Sequence, residues 1–546
     1  LFLFHTSILE GQIYPRWVDQ LGFGFGYPLF NFYPPLIYII AEVFVAAGFG
    51  FIESIKAMLV VGFVIGAIGT YLYTNLFTDK KWALLSSLIF TTFSYRAITV
   101  YVRGAFAEFA GLSILPLALW SMVKLARKPN LRNTSFFSVF FCLIILAHPL
   151  IAFPALFYFA LYGLWLLYSS QEKVKYFYYQ SIGGILGLGL SAFFWLPSII
   201  EKKFTLVGDI LTSELADFHI HFVYPLQLWF SPWGFGGSGP GYSDSMSFQI
   251  PKIFLLLLLL ALAASLYYLL KNFKNREEQG RSKEVIFHLS LRAFSIFMML
   301  DLSLPVWNTI SFLAFLQFPW RFLAFVTFFL ATTIGIGLSR LDILSMGGST
   351  GGGPGKGAVE RSERALFGTR ERQAPLIMVF LAITFFLIIF KQLPYFKPAS
   401  YLAVTDSQRI SKEEIMWRIS RSSFEFAPAG VALKKSEYVN SIIDRNKDDL
   451  PSSLAEVVSG SATITVKRNI SYRKTIQANS DGPSTIRFNT FSFAGWNAYI
   501  DGERINHTNN DKYKRISVKV PAGNHTIELK FENTGVRKTA NLLSIA

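Results

Sequence analysis

Acidic side chains at the ends of apolar runs are the residues of this sequence best suited to chemistry. Glu108 lies about one turn inside an apolar run that continues to Trp120, and Arg103 precedes it in the stretch YVRGAFAEFAG. Asp19 lies in an earlier segment that is rich in aromatic residues. A carboxylate in such a place can act as a general base and take a proton from a hydroxyl nucleophile. We therefore treat Asp19 and Glu108 as candidate catalytic residues.

Basic and aromatic side chains near the same apolar runs are candidates for binding an anionic substrate group. In the motif QFPWRF, Arg321 follows a proline that can break a helix. A guanidinium there can form two parallel hydrogen bonds to a phosphate, or it can anchor to lipid phosphate instead. The candidate substrate-binding residues are Arg16, Tyr33, Arg96, Arg103, His148, Trp320 and Arg321.

Each of these residues also has a structural interpretation. Glu108 can be an acid near the membrane surface that pairs with Arg103 or Arg96 of the preceding segment. His148 is either an acid–base group or a histidine satisfied within the core. His219 and His221 have the spacing of two metal ligands on one strand face, which alone is weak evidence. We leave the metal ligands unknown, and a divalent metal is the only cofactor that we consider.

The composition excludes an ordinary soluble enzyme. Of the 546 residues 52% are hydrophobic and only 16% are charged, against about 25% charged in typical soluble domains. Cys142 is the only cysteine, which excludes a disulfide scaffold. The net charge of +16 comes with Lys and Arg in loops between apolar runs, a pattern typical of membrane proteins rather than of nucleic-acid binding. We predict an integral membrane protein that binds no nucleic acid.

The apolar runs and the basic loops together predict a topology. Placing the basic loops in the cytoplasm puts residues 95–104, 198–249, 303–320 and everything after about 393 on the outer side of the cell (inner) membrane. An apolar stretch at 135–168 would be about 51 Å long as one helix, too long for a bilayer, so we expect a turn at His148. The predicted spans are 55–77, 82–94, 105–125, 135–147, 149–168, 177–197, 250–270, 286–302, 321–339 and 375–392.

The chain is predicted to be an α-helical polytopic membrane protein with an extracytoplasmic β-sandwich near its C-terminus. Period-2 alternation, as in TITV and HTIELKF, predicts the strands, and Asp501-Gly502 predicts a hairpin turn. Both ends look cut, and about 10–12 spans are expected in the full protein. The predicted parts are a transmembrane domain at 1–392, an outer connecting segment at 393–454, a β-sandwich at 455–535 and the start of a truncated final span at 536–546. The transmembrane domain includes outer loops at 5–54 and 198–249 and a cytoplasmic glycine-rich linker at 340–374.

The first outer segment has an unusual density of aromatic residues, glycines and prolines. It contains the run GFGFGYPLFNFYPP, directly after Arg16 and Asp19. This composition suits a loop at the membrane surface that folds back on itself. Its aromatic residues either form a belt at the boundary between lipid and water or surround a cavity that the two charged residues face.

These segments resemble a known family. The motifs YPRW, GFGFGYPLFNFYPPL, YVRGAFAEFAG, AHP and QFPWRF look like the bacterial 6-pyruvoyl-tetrahydropterin synthase-related membrane domain family. That family is similar in layout to YfhO-like proteins and to polytopic glycosyltransferases of the GT-C type. The tail FAGWNAYIDGERI also resembles the outer β-domain of those proteins. Pterin chemistry is not expected, because the histidine cluster that holds zinc in soluble pterin synthases is missing.

The resemblance implies a glycosyltransferase. It would transfer a sugar from a polyprenyl-phosphate-linked donor to an envelope polymer, lipid or protein on the outer face of the membrane. Asp19 and Glu108 would match the acids of the first two outer loops, and the acid expected just before His5 would fall upstream of Leu1. The alternatives are a lipid or polysaccharide transporter or flippase and a non-enzymatic envelope assembly protein.

Overall fold

The computed structural model describes residues 1–210, 216–271, 276–345, 375–431, 433–435, 440–443 and 450–545. The chain is mostly helical, with β-sheets near its C-terminus. Most of the predicted glycine-rich linker at 340–374 lies outside the described residues, which include only its first part, the short helix Arg340–Ser345.

The longer helices follow the apolar runs of the sequence. Helix α5 starts just after Gly104, whose φ of +60° disfavours other residues. In chain order the helices are α1 (Phe2–Leu9), α2 (Leu36–Ala46), α3 (Phe51–Thr74), α4 (Lys80–Thr92), α5 (Phe106–Arg127), α6 (Leu131–Ala147), α7 (Pro149–Ser169), α8 (Lys173–Leu190), α9 (Ala192–Glu201), α10 (Lys252–Lys271), α11 (Arg276–Met299), α12 (Leu323–Leu338), α13 (Pro375–Tyr395, its last turn a 3-10 turn) and α14 (Gly535–Ile545).

Short helical turns connect these helices. A π-helical turn, Ile98–Val102, precedes α5, and a 3-10 turn, Pro319–Phe322, leads into α12. The others are Leu29–Phe32, Ser94–Ala97, Lys202–Phe204, Val207–Ile210, Phe218–Ile220, Pro225–Trp229, Asp301–Ser303, Leu304–Thr309, Ser311–Leu316, Asp406–Arg409, Glu414–Ile419 and Ser420–Ser422.

Six helices of the described chain are long and apolar enough to cross a membrane, or up to eight if each bent pair counts as one span. Ten spans were predicted, and each prediction falls on a helix or a bent helix pair. The difference has physical causes. Helix α6 is short, α11 begins in the charged sequence REEQGRSKE, and the pairs that start with α4 and α8 are bent by 42° and 66°. The chain also turns at His148, as predicted, because α6 ends at Ala147 and α7 begins at Pro149.

Among the described residues, the strands between Ala455 and Phe531 form two antiparallel sheets, and an earlier pair of strands forms a third. One has the order β4-β5-β10-β7-β8 and the other β3-β6-β9, and inward residues of both, such as Ile476 and Ile486, belong to one apolar cluster. We call residues 455–531 the β-module. The strands are β1 (Leu433–Lys435), β2 (Asn440–Ile443), β3 (Ala455–Ser459), β4 (Ala462–Ile470), β5 (Arg473–Ser480), β6 (Ser484–Phe491), β7 (Trp496–Ile500), β8 (Glu503–Ile505), β9 (Arg515–Val520) and β10 (Gly523–Phe531), with β1 pairing only with β2.

The aromatic first segment packs against the β-module rather than forming a belt towards lipid. Val18 and Tyr27 form a bridge, so the segment folds back on itself. The Phe491 amide donates a hydrogen bond to the carbonyl of Phe25 (2.8 Å), and both rings are buried. Gly26, at φ +84°, lies under the Trp17 indole, where a side chain would clash. These aromatic residues therefore form part of the core beneath the β-module.

The helix bundle has two ends of different character. At one end, Arg127 and Glu284 line a common pocket, and Lys81 pairs with Asp342 at 2.7 Å. We call this the basic end, because basic residues cluster at the helix ends and short connections there, namely Lys80, Lys81, Lys124, Arg127, Lys128, Arg132, Lys173 and Lys175. At the other end, Asp406 accepts hydrogen bonds from the first two amides of α3. We call this the module end.

A buried ion pair joins the β-module to the helix bundle. Arg537 of α14 donates two hydrogen bonds to Glu201 of α9, at 2.8 and 3.0 Å, and both side chains are almost fully buried. Asn31 and Thr534 donate the other hydrogen bonds to this carboxylate, at 2.9 and 2.7 Å. Arg537 also donates to the carbonyl of Ala494 in the β-module. The carboxylate thus connects the first segment, the bundle and the C-terminal helix.

Arg537→Gln should lower the free energy of unfolding by about 3–5 kcal/mol, because it leaves Glu201 buried without its cation. The measurement is denaturant unfolding of the purified chain in detergent, followed by tryptophan fluorescence. Arg473→Gln is the matched control, since it breaks a pair with Glu528 in which the arginine is 40% exposed, and should cost less than about 1 kcal/mol. Equal losses in the two variants would contradict the buried junction.

Candidate functional site

The structure surrounds Glu108 with basic and aromatic side chains from distant parts of the chain. Its Oε2 lies 2.9 Å from Nη1 of Arg103 and 3.4 Å from Nε of Arg321. The Tyr95 hydroxyl donates a hydrogen bond to Oε1. Glu108 is completely buried, whereas the side chains of Arg103 and Arg321 are 14% and 8% exposed. We call these four residues and Trp320 the Glu108 cluster.

Aromatic rings hold the two guanidiniums in place. Arg103 lies over the Trp320 ring at 4.4 Å, and Arg321 lies over the Phe318 ring at 4.9 Å. The Trp320 and Phe318 rings are stacked on each other, 4.9 Å apart. Such cation–π contacts fix the orientation of a guanidinium without consuming its hydrogen-bond donors.

Local backbone geometry brings these side chains to one place. Glu108 lies in the first turn of α5, where a negative charge is favoured by the helix dipole. Arg103 directly follows the π-helical turn Ile98–Val102. Gln317 has a φ of +62°, and Pro319 then opens the turn that carries Arg321. These turns aim the two arginines at the start of α5.

One oxygen of the Glu108 carboxylate accepts no aligned hydrogen bond from the described residues. Within the described chain, Oε2 of Glu108, Nη1 of Arg103 and Nε of Arg321 form no aligned hydrogen bond, although the atoms lie within ion-pair distance. Burial acts to lower the pKa of Arg103, but Glu108 outweighs it and raises that pKa, so the guanidinium stays charged. The cluster therefore holds a buried carboxylate in its ionised form between two fixed positive charges.

His148 and the loop that carries Ser238 lie beside this cluster. His148 interacts electrostatically with Glu108 and with both arginines, and its buried Nδ1 has no hydrogen-bond partner in the described residues. Trp320 donates a hydrogen bond from Nε1 to the Ser238 hydroxyl (3.0 Å), and that hydroxyl also contacts His221 (2.8 Å). The loop that carries Ser238 therefore covers the Trp320 side of the cluster.

Four predicted site residues do not join the cluster. Asp19 accepts hydrogen bonds from Lys474 of β5 (2.8 Å) and from Trp17 (3.3 Å), so it lies at the contact with the β-module. Both acids are predicted to be catalytic, but the contacts of Asp19 in the described chain are with the β-module and the first segment rather than with the Glu108 cluster. The charge of Asp19 is needed there because Lys474 is almost buried against the first segment.

Arg16 belongs to the junction with α9 and α14. It donates hydrogen bonds to Asn31, to the carbonyl of Phe193 and to Asn541, at 3.1, 2.7 and 3.2 Å. Burial lowers the pKa of Arg16, while Tyr14 and Glu201 act to raise it. Its side chain is therefore occupied by structural contacts.

Tyr33 and Arg96 also lie elsewhere. The ring of Tyr33 packs against Tyr38. Arg96 is fully buried beneath the rings of Phe63, Phe90 and Phe109, and it donates a hydrogen bond to Ser113 (3.2 Å). A guanidinium in this aromatic cage stabilises the contact of α3, α4 and α5 and does not reach Glu108.

Sequence reasoning missed two members of the site. Tyr95 directly precedes Arg96, yet nothing in the sequence indicates which of the two side chains meets Glu108. Ser238 lies in a glycine-rich loop that had no assigned role. The proximity of both to the start of a buried helix appears only in three dimensions.

The donor set does not fit a divalent metal. Among the described residues no group of three or more His, Cys, Asp and Glu side chains is placed to hold one. His219 contacts Asp217 and Asn308, whereas His221 contacts Ser238. Glu108 is already paired with two cations.

Comparisons with known proteins give no match for this chain. No family model, no curated protein and no solved structure matches it. The family resemblance based on the QFPWRF and YVRGAFAEFAG motifs therefore stays a prediction, and the functional argument rests on the geometry of the Glu108 cluster.

Tyr95→Phe should lower the free energy of unfolding by about 1.5–3 kcal/mol, because it removes a hydrogen bond to a buried charge. Tyr158→Phe is the matched control. That hydroxyl is equally buried but bonds the neutral Ser295, so its loss should cost about 0.5–1.5 kcal/mol. Unfolding of both variants in detergent checks this, and a larger loss for Tyr158→Phe would contradict an ionised Glu108.

Proposed function

We propose that this chain is a membrane glycosyltransferase of the GT-C type. It transfers a sugar from a polyprenyl-phosphate-linked donor to an acceptor hydroxyl of an envelope polymer, lipid or protein. The observation that supports this proposal most directly is the buried Glu108 carboxylate, which lies between Arg103 and Arg321 at the module end of the bundle.

The chemistry of the cluster suits this reaction. The acceptor hydroxyl forms a new bond to the anomeric carbon of the sugar while the bond from that carbon to the phosphate oxygen breaks. Oε2 of Glu108 takes the hydroxyl proton after Arg103 moves from this oxygen to the substrate phosphate, because in the unliganded cluster Oε2 is paired with Arg103 and Arg321. Arg103 stabilises the negative charge that develops on the leaving phosphate, because it is the most exposed member of the pair.

The same proposal includes insertion into the inner membrane. The candidate spanning helices are apolar, and the lysines and arginines at the helix ends of the basic end favour a cytoplasmic position for that end. The module end, with the Glu108 cluster and the β-module, is then extracytoplasmic. This side is where a lipid-linked sugar donor is consumed in the proposed reaction.

The rival functions make different demands on the structure. A transporter needs polar groups that continue through the bundle, whereas a non-enzymatic assembly protein needs no carboxylate held between two arginines. The exposure of Arg103 beside a completely buried acid favours a reaction at the surface of the bundle.

Glu108→Gln should reduce sugar transfer by roughly 10²-fold or more, because the amide cannot accept the hydroxyl proton. The measurement is incorporation of radiolabelled hexose into envelope material by cells that carry only the variant, normalised to the amount of folded protein. Glu42→Gln is the control, since this carboxylate pairs with His5 at 2.7 Å in a different part of the bundle and should leave transfer near wild type.

Unchanged incorporation in Glu108→Gln cells at normal protein level would remove Glu108 from the mechanism. Intact transfer in vesicles combined with loss of export would favour the transporter. Asp19→Asn gives a second test, because the structure assigns Asp19 to the β-module contact. It should impair transfer far less than Glu108→Gln does.

A further inference from the structure

A second cavity opens at the module end, apart from the Glu108 cluster. It has a volume of about 470 Å³ and lies between the first turn of α10 and the last turns of α13. Ser94 lines it, and the next residue, Tyr95, bonds Glu108. The cavity is therefore a neighbour of the Glu108 cluster with its own set of side chains.

The charge of the cavity is entirely positive. Lys252 and Lys391 line it, and no Asp or Glu is among its lining residues. The Lys252 ammonium lies over the Trp229 ring at 5.5 Å, and within the described chain neither lysine forms an ion pair. Two uncompensated ammonium groups at one cavity select an anion.

A buried polar atom in the same cavity has no partner. Gln392 is only 2% exposed, and its Oε1 makes no hydrogen bond to any described residue. Of the hydroxyls that line the cavity, Ser94 donates to the carbonyl of Gln249 and Ser247 donates to that of Ser231, and none donates to Oε1 of Gln392. A buried carbonyl oxygen without a hydrogen-bond donor costs free energy unless a ligand supplies the donor. A ligand that fits this cavity should therefore have a hydroxyl group as well as a negative charge.

The remaining wall is apolar and continues along two helices. Ile253 and Leu256 of α10 and Leu387 of α13 line the cavity, and Leu256 is 57% exposed. Trp233 and Tyr395 form an aromatic wall, with their rings 4.7 Å apart. Aromatic side chains of this kind favour the boundary between lipid and water. An occupant must therefore have both a polar head and an apolar tail.

We propose that this cavity binds the headgroup of an anionic phospholipid that carries hydroxyl groups, such as phosphatidylglycerol. Lys252 and Lys391 contact the phosphate, and a headgroup hydroxyl donates to Oε1 of Gln392. The acyl chains lie along the exposed faces of α10 and α13. This site depends on the membrane insertion proposed above but not on sugar transfer.

The test is lipid binding to the full chain in neutral detergent, measured by native mass spectrometry. Phosphatidylglycerol should bind more tightly than phosphatidylcholine, and Lys252→Gln with Lys391→Gln should weaken its binding by roughly tenfold or more. Lys203→Gln with Lys397→Gln is the matched control. It removes the same charge from exposed positions outside the cavity and should leave binding unchanged.

Gln392→Leu tests the contribution of the headgroup hydroxyl separately from that of the phosphate. It should weaken the binding of phosphatidylglycerol. The binding of phosphatidic acid, which has a phosphate but no alcohol group in its headgroup, should be nearly unchanged. Equal weakening of both lipids would overturn the assignment of Gln392, and equal binding of phosphatidylglycerol and phosphatidylcholine would overturn the site.

Glycerol 3-phosphate and inorganic phosphate identify the source of the anion. If either competes with phosphatidylglycerol at equal concentration, the cavity is a site for a soluble phosphate and the lipid proposal is wrong. Glu108→Gln should leave lipid binding unchanged. Failure of the lipid site and failure of the transferase proposal are therefore distinguishable.

Discussion

A carboxylate buried in an apolar helix bundle must be neutralised, and this requirement organises the module end of the protein. Glu108 pairs with Arg103 and Arg321, which are more than two hundred positions apart in sequence. Glu201 pairs with Arg537 in the same way. Losing one partner of such a pair leaves a charge in a low-dielectric surrounding, at a cost of several kcal/mol. Each pair therefore fixes segments that apolar packing alone would leave free to shift.

The carboxylates of Glu201 and Glu108 differ in how many aligned hydrogen bonds their oxygens accept from the protein. Both oxygens of Glu201 accept aligned hydrogen bonds from Arg537, Asn31 and Thr534, so this group is fully used by the structure. Oε2 of Glu108 has two guanidiniums close by but no aligned donor in the described chain. A buried ion pair thus forms a structural junction at Glu201 and a candidate reactive site at Glu108.

The sequence predicts the elements well because their signals are local. Apolar runs predict the helices, His148 and Pro149 predict a turn, and alternation such as TITV predicts the strands. The arrangement of charged residues is harder to predict, since pairing depends on which distant segments meet. The sequence offers Arg103 or Arg96 as the partner of Glu108, and the structure pairs Glu108 with Arg103 and also with the distant Arg321. Asp19 has the same signal, but the aromatic first segment buries it against the β-module, which no local pattern reveals.

The central claim is that Glu108 and Arg103 form a coupled pair in the folded chain. A double-mutant cycle with Glu108→Gln, Arg103→Gln and both together measures this coupling as free energy of unfolding in detergent. The account predicts a coupling of about 1–3 kcal/mol, because Glu108→Gln leaves Arg103 without its anion and Arg103→Gln leaves Glu108 with Arg321 alone. Additive losses, with a coupling near zero, would show that the two charges do not meet and would contradict the site.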